Sequence, residues 1–113
     1  MLFRKKGLKV FVYQDAIDMR YGFHRLTGFI RSTYGMNLLL EGHVFVFFGH
    51  NRHRLKIFFF DGTGVVLITK RIEQGRFMWI EDVCFKEVSF SELEQLIHGS
   101  IIIKGKLNSI SKE

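Results

Sequence analysis

The chain has 113 residues, enough for one domain with its own core, and 47% of them are hydrophobic against 25% charged. A single cysteine, Cys84, excludes an internal disulfide and predicts a reducing, cytoplasmic environment. The absence of long apolar runs excludes a membrane span, and the apolar run in the basic N-terminal stretch is too short for the hydrophobic region of a signal peptide.

The predicted elements begin with a strand and a helix. Alternation over residues 8–13 predicts the strand, and either Asp15 or Asp18 is predicted to cap the helix. Spacings of three and four residues give this helix one apolar stripe, and Tyr34-Gly35 is predicted to end it. The stripe consists of Met19, Phe23, Leu26, Ile30 and Thr33.

Short strands follow a connector over residues 36–42. They are predicted at about 43–48, 54–60, 65–70 and 76–80, with 83–88 as a fifth in which Cys84 is a buried, unreactive thiol. The separators are short and rich in turn residues, so neighbouring strands are predicted to form antiparallel hairpins. The strands at 43–48 and 54–60 are apolar on both faces over much of their length. This pattern favours a sheet covered on both sides, but it also fits an open aromatic face that stacks bases or binds a protein.

A second helix is predicted to start at Ser89 or Ser91, since Ser89 and Glu92 match the capping-box pattern. Gly99 is its predicted C-cap, residues 100–104 form a last strand, and residues 105–113 form a polar, flexible tail. The predicted fold class is α+β. A single domain over residues 1–104 contains an antiparallel β-meander of four to six strands, with an N-terminal and a C-terminal helix packed on one face.

Cations concentrate in the turns of the predicted meander. Residues 1–80 hold 13 Lys and Arg against 5 Asp and Glu, so the excess behind the net charge of +6 lies there and favours a polyanionic partner. One turn separates the loops at 49–54 and 71–76, so both are predicted at the same end of the sheet. Their arginines, which would then cluster and bind phosphates, are Arg52, Arg54, Arg71 and Arg76. The alternative is a solvated hairpin end whose charge discourages aggregation.

Signals for catalysis are weak. Three histidines, His43, His50 and His53, lack the spacing of a zinc motif, and no phosphate-binding loop or nucleophile motif is present. Capping, turn formation and solvent exposure explain the acids that could bind a metal. The sequence therefore predicts no catalytic residue, no metal site and no cofactor.

Six segments occur in an order typical of one protein family. They are DMRYGF (18–23), GHVFVF (42–47), RLKI (54–57), FDGTG (60–64), KRIEQGRFMW (70–79) and LEQLIHG (93–99). In these segments the chain resembles the small accessory protein, TnpB or Orf2-like, of bacterial insertion sequences of the IS-sixty-six class. It departs from the family at His53, where an acid is usual, and at Ile80, where a proline follows the tryptophan.

The resemblance implies an accessory role beside a separate transposase, with no established catalytic activity. Together with the charge, it predicts a non-catalytic protein of DNA transposition that binds DNA, assists transposase assembly, or both. The residues expected to contact phosphates are Arg20, Arg52, Arg54, Lys56, Lys70, Arg71 and Arg76. Expected partners are DNA, the cognate transposase or a second copy of the chain, and no membrane. One alternative is a protein-only adaptor or self-associating module that uses the aromatic sheet; another is a metal-dependent nuclease that needs Asp61 or another acid.

Overall fold

The computed structural model describes residues 7–80, 85–98, 100–103 and 106–109, which leaves the predictions for Cys84 and Gly99 outside the described residues. In chain order the elements are β1 (Val10–Ala16), α1 (Phe23–Thr33), α2 (Met36–Leu40), β2 (Val44–Phe48), β3 (Arg54–Phe60), β4 (Val65–Arg71), β5 (Met78–Ile80), β6 (Phe85–Val88), α3 (Phe90–Ile97), β7 (Ser100–Ile103) and β8 (Lys106–Ser109). Within these ranges no helix is long and apolar enough to cross a membrane.

The main sheet has five strands in the order β4-β3-β2-β1-β6. Strands β2, β3 and β4 form the predicted antiparallel meander, in which Phe45 faces Phe58 and Ile57 faces Ile68. Strand β1 runs parallel to β2, because α1 and α2 form the crossover that a parallel connection requires. The α+β class is therefore confirmed, but the sheet is mixed and the meander contains three of its strands.

A second, three-stranded sheet has the order β5-β7-β8. Strand β5 pairs in parallel with β7, and β8 pairs antiparallel to β7. The prediction that residues 76–80 continue the meander is therefore wrong. The sequence also placed residues 106–109 in a flexible tail, whereas they form β8.

The predicted start of the first helix is wrong by about one turn or more. Asp15 lies inside β1, because pairing with β2 continues to the hydrogen bond from Ile17 N to Phe48 O at 2.9 Å. Helix α1 begins at Phe23 after Gly22, which offers no side-chain cap. Asp18 instead accepts hydrogen bonds from Arg20 in the β1–α1 loop. The predicted end is confirmed, and the connector beyond it contains the unpredicted helix α2.

The core lies on both sides of the main sheet, and β2 is buried along its whole length. One cluster contains Phe48, Leu55 and Phe77 and packs against Leu93 of α3. The opposite cluster contains Phe45, Phe47 and Phe58 and packs against α1 and α2. Two-sided burial is confirmed, but the helices do not share a face. The crossover places α1 on one side, whereas α3 follows edge strand β6 and lies on the other.

Helix α3 begins with the predicted capping box. The Ser89 N–H donates to Glu92 Oε1 at 2.9 Å, and the Glu92 N–H donates to Ser89 Oγ at 3.0 Å. These bonds satisfy two backbone donors that the first turn leaves without helical partners. They fix the start of α3, whose Phe90 and Leu93 then pack against the core.

Candidate functional site

The two cationic turns lie side by side at one end of the main sheet, as the meander predicted. The Ile72 N–H donates to His53 O at 2.9 Å, and the Phe77 N–H donates to Arg52 O at 2.7 Å. The segment after β4 is therefore hydrogen-bonded along the β2–β3 loop. This arrangement brings the backbones of Arg71 and Arg76 beside those of Arg52 and Arg54.

Arg54 and Arg71 are directly opposite each other on the antiparallel strands β3 and β4. Opposed residues in such a pair project to the same face of the sheet, and both arginines are exposed. In the part of the chain that the structure describes, no carboxylate forms a salt bridge with either guanidinium. Two positive charges thus share one surface without an acidic partner from these residues.

A cleft of about 480 Å³ opens between this end of the sheet and the β1–α1 loop. Its charged and titratable lining residues are Asp18, His50, His53, Arg54, Arg71 and Glu73. The Asp18 carboxylate is occupied by Arg20, whose Nη2 lies 2.7 Å from Oδ2 and whose Nε lies 3.0 Å from Oδ1. These hydrogen bonds hold the pKa of Asp18 well below its usual range. The cleft therefore offers two exposed arginines, the exposed His50 and the half-buried His53. Of its two acids, Asp18 is paired with Arg20, and Glu73 is exposed.

Arg20 and Arg25 extend the positive surface from the cleft onto the start of α1. The Arg20 side chain is 91% exposed, although it forms the ion pair with Asp18. Arg25 lies with its guanidinium carbon 5.1 Å from the centre of the Tyr21 ring. A smaller hollow beside the cleft is lined by Asp18, Arg20, Tyr21 and Arg25. Asp18 is common to both depressions, so they adjoin.

Lys56 and Lys70 lie on opposite faces of the sheet, and each bonds to a carbonyl of the fold. Lys56 is 7% exposed, and its Nζ donates to Tyr21 O at 2.6 Å. Burial lowers its pKa, and the nearby charge of Asp18 opposes that shift. The Lys70 Nζ donates to Ile97 O at 3.0 Å, at the last turn of α3. The sequence signal for the burial of Lys56 was its position between the apolar residues of β3.

Arg52 shapes the β2–β3 loop from its half-buried position. It adopts a left-handed conformation with φ of 62°, and its guanidinium carbon lies 4.7 Å from the centre of the Phe48 ring. Burial lowers the pKa of Arg52, while the charge of Asp15 opposes that change. Sequence reasoning treated Arg52 like Arg54, because turn composition does not reveal which side chain folds back on the core.

Gly49 is required where the loop meets the cleft. A Cβ there would lie 2.7 Å from Met19 Cγ. We expect Gly49→Ala to lower the free energy of unfolding by about 1–3 kcal/mol, because the loop and Met19 must move apart. Urea denaturation measures this loss, with Gly64→Ala as the control, since a Cβ at Gly64 meets nothing within 4 Å. Equal stabilities of the two variants would contradict the assigned contact.

Sequence comparisons with known proteins match the chain to one family. A family model described as IS66 Orf2-like protein matches residues 8–106. The chain is 37% identical over 79 residues to the uncharacterized protein y4hO of Sinorhizobium fredii, an alignment that covers 70% of this chain and 68% of that protein. It is 32% identical over 82 residues to the uncharacterized protein y4jC of the same organism, with 70% and 67% covered. No solved structure gives a significant match.

Proposed function

The chain belongs to the family of IS66 Orf2-like proteins, and we propose that it assists transposition by binding DNA through the cationic end of its main sheet. The cationic end comprises four exposed arginines. Arg54 and Arg71 line the cleft, Arg20 lines the adjoining hollow, and Arg76 lies in the segment that is hydrogen-bonded along the β2–β3 loop. The family itself makes the chain an accessory protein of transposition, and it is not a known catalytic family. DNA binding is the step that we propose beyond the family, and the arrangement of these arginines supports it.

The observation that carries the proposal is the pairing of Arg54 with Arg71. Like charges directly opposite on neighbouring strands destabilise a sheet. A phosphate bound between the two guanidinium groups would remove that repulsion, and arginine can donate two parallel hydrogen bonds to phosphate oxygens. The pair therefore supports an anionic ligand better than it supports a purely solvated hairpin end.

The seven cations predicted from the sequence have different roles in this proposal. Arg54, Arg71 and Arg76 contact phosphates directly, and Arg20 contributes from the hollow beside the cleft. Asp18 bonds to Nε and Nη2 of Arg20, so the Nη1 side of that guanidinium faces away from the ion pair. The remaining three, which bond or pack within the fold, position the loops; they are Arg52, Lys56 and Lys70.

The alternative function, a protein-only adaptor, would need an exposed aromatic face of the sheet, and the aromatic residues of β2 and β3 do not provide one. Phe45, Phe47 and Phe58 are fully buried under the helices α1 and α2. Phe48 and Phe59 are buried on the other side of the sheet. A protein partner such as the transposase would have to bind elsewhere on the chain, so the aromatic strands give this alternative no support.

The test is DNA binding over a salt series from about 50 to 200 mM, using transposon-end DNA and unrelated DNA. We expect the log–log salt slope of Arg54→Gln/Arg71→Gln to be shallower by about 2, because each lost phosphate contact removes about 0.9 released counterions. Affinity at about 100 mM salt should fall roughly 30- to 100-fold.

Ser91→Glu is the control, because Ser91 is an exposed residue of α3 on the far side of the sheet. It lowers the net charge by one without touching the cationic end, and its affinity should stay within about threefold of the wild type. Binding that does not depend on salt, or a double variant with the wild-type slope, would overturn the proposed function.

A further inference from the structure

The outer side of α1 is basic and the outer side of α3 is acidic. The segment FHRLTGFIRST of α1 contains His24, Arg25 and Arg31, all exposed, and no acidic residue. The segment FSELEQLI of α3 contains Glu92 and Glu94 and no lysine or arginine. Because the two helices cover opposite faces of the main sheet, a polyanion would meet the α1 side with less repulsion.

A hollow of about 350 Å³ lies on this outer side of α1. It is lined by Phe23, His24, Thr27, Gly28 and Arg31. His24 and Arg31 are separated by two helical turns, or about 10 Å along the axis, and Gly28 lies between them. The helix backbone at Gly28 therefore forms the base of the hollow, with the imidazole of His24 at one end and the guanidinium of Arg31 at the other.

Packing inside the chain does not require a glycine at position 28. A Cβ at Gly28 would meet nothing within 4 Å, yet glycine inside a helix costs about 1 kcal/mol relative to alanine. The missing side chain leaves space on the outer surface only. That space allows an external backbone to approach the helix closely.

The hollow continues the positive surface of the cationic end. Arg25 lines the depression that also holds Arg20 and Asp18, and Asp18 lines the cleft of Arg54 and Arg71. Arg25 and His24 are adjacent in α1, so the surface formed by the three depressions extends from the cleft to Arg31, and Asp18, paired with Arg20, lies within it. An extended polyanion could contact all of it at once.

We propose that the outer surface of α1, formed by His24, Arg25, Thr27, Gly28 and Arg31, is a second contact for the DNA backbone. This inference rests on the proposed function and extends it to one side of the molecule. In this arrangement a sugar-phosphate strand lies over Gly28, and its phosphates are contacted by Arg25 and Arg31. Helix α3 faces away from the DNA. These contacts position the duplex without reading its sequence.

The decisive variants are Arg31→Gln and Gly28→Gln, each measured for DNA affinity, salt slope and unfolding free energy. Arg31→Gln should weaken binding roughly 5- to 10-fold at about 100 mM salt and reduce the slope by about 1. Gly28→Gln should raise the urea midpoint, because glutamine favours a helix more than glycine does. The same variant should weaken binding at least about 5-fold, because the new side chain fills the hollow.

Opposite changes in stability and affinity for Gly28→Gln cannot come from damage to the fold, so they would support the inference. Ser91→Glu again controls for the change in net charge. If Arg54→Gln/Arg71→Gln weakens binding while both α1 variants match the wild type, this inference is overturned and the proposed function stands. If the α1 variants keep DNA affinity but no longer co-purify with the transposase, the surface binds protein and the inference is also overturned.

Discussion

Arg71→Glu is expected to remove most DNA affinity while making the folded chain slightly more stable. The change converts the opposed pair of Arg54 and Arg71 into an oppositely charged pair. Cross-strand pairs of this kind contribute about 0.2–1 kcal/mol, so the free energy of unfolding should rise by roughly 0.5–1 kcal/mol. Affinity should fall roughly 100-fold at about 100 mM salt, because one phosphate contact is replaced by a repulsive carboxylate.

Two measurements check this prediction, urea denaturation for stability and fluorescence anisotropy with labelled duplex for affinity. Arg71→Gln is the intermediate variant and should lose roughly 5- to 10-fold in affinity. Ser91→Glu places a new carboxylate on α3, away from the cleft, and should bind nearly as well as the wild type. A destabilised Arg71→Glu variant, or one that binds DNA normally, would contradict the role given to the arginine pair.

Phe77→Ala is expected to have the largest effect on stability. Phe77 is 0% exposed within the core cluster shared with α3, and its N–H donates to Arg52 O at 2.7 Å. Removing a buried phenylalanine side chain costs about 3–5 kcal/mol, a large part of the 5–15 kcal/mol typical of a folded domain. The cavity also loosens the segment that carries Arg76 beside the β2–β3 loop, so DNA affinity should fall in the protein that remains folded.

Thermal denaturation should show this loss as a decrease in Tm of more than about 10 °C. Leu40→Ala is the matched control, because Leu40 is 55% exposed and should lose less than about 1 kcal/mol. Phe77→Leu keeps most of the buried volume and should restore both stability and binding toward the wild type. A Phe77→Ala variant as stable as Leu40→Ala would show that this side chain does not anchor the segment.

Predictions based on neighbouring residues agreed well with the structure. Asp61 and Gly62 form the predicted turn: Gly62 has φ of 102°, and Asp61 Oδ1 accepts from Thr63 N at 2.9 Å and Gly64 N at 3.0 Å. These hydrogen bonds lower the pKa of Asp61. The capping box of α3 is equally local. In both cases the interacting groups lie within three residues, so composition and spacing contain the necessary information.

Predictions that required strand partners were less accurate. Asp15 was expected as one possible helix cap but continues β1, because the parallel pairing of that strand with β2 extends to Ala16. Residues 78–80 read as the next meander strand but pair with β7 instead. A strand's own residues specify its alternation, whereas its neighbours are selected by contacts distant in sequence.

The amino-acid sequence by itself determined the hairpin turns, the burial of both sheet faces and the concentration of cations in the turns, since each follows from local residue chemistry. Only the tertiary structure decided which of those cations face solvent. Lys56 and Lys70 bond to carbonyls on opposite sides of the sheet, and Arg52 packs on Phe48. Arg54 and Arg71 meet at the surface because the β3–β4 register aligns them. Charge is a property of each residue, but exposure and juxtaposition depend on how distant segments pack.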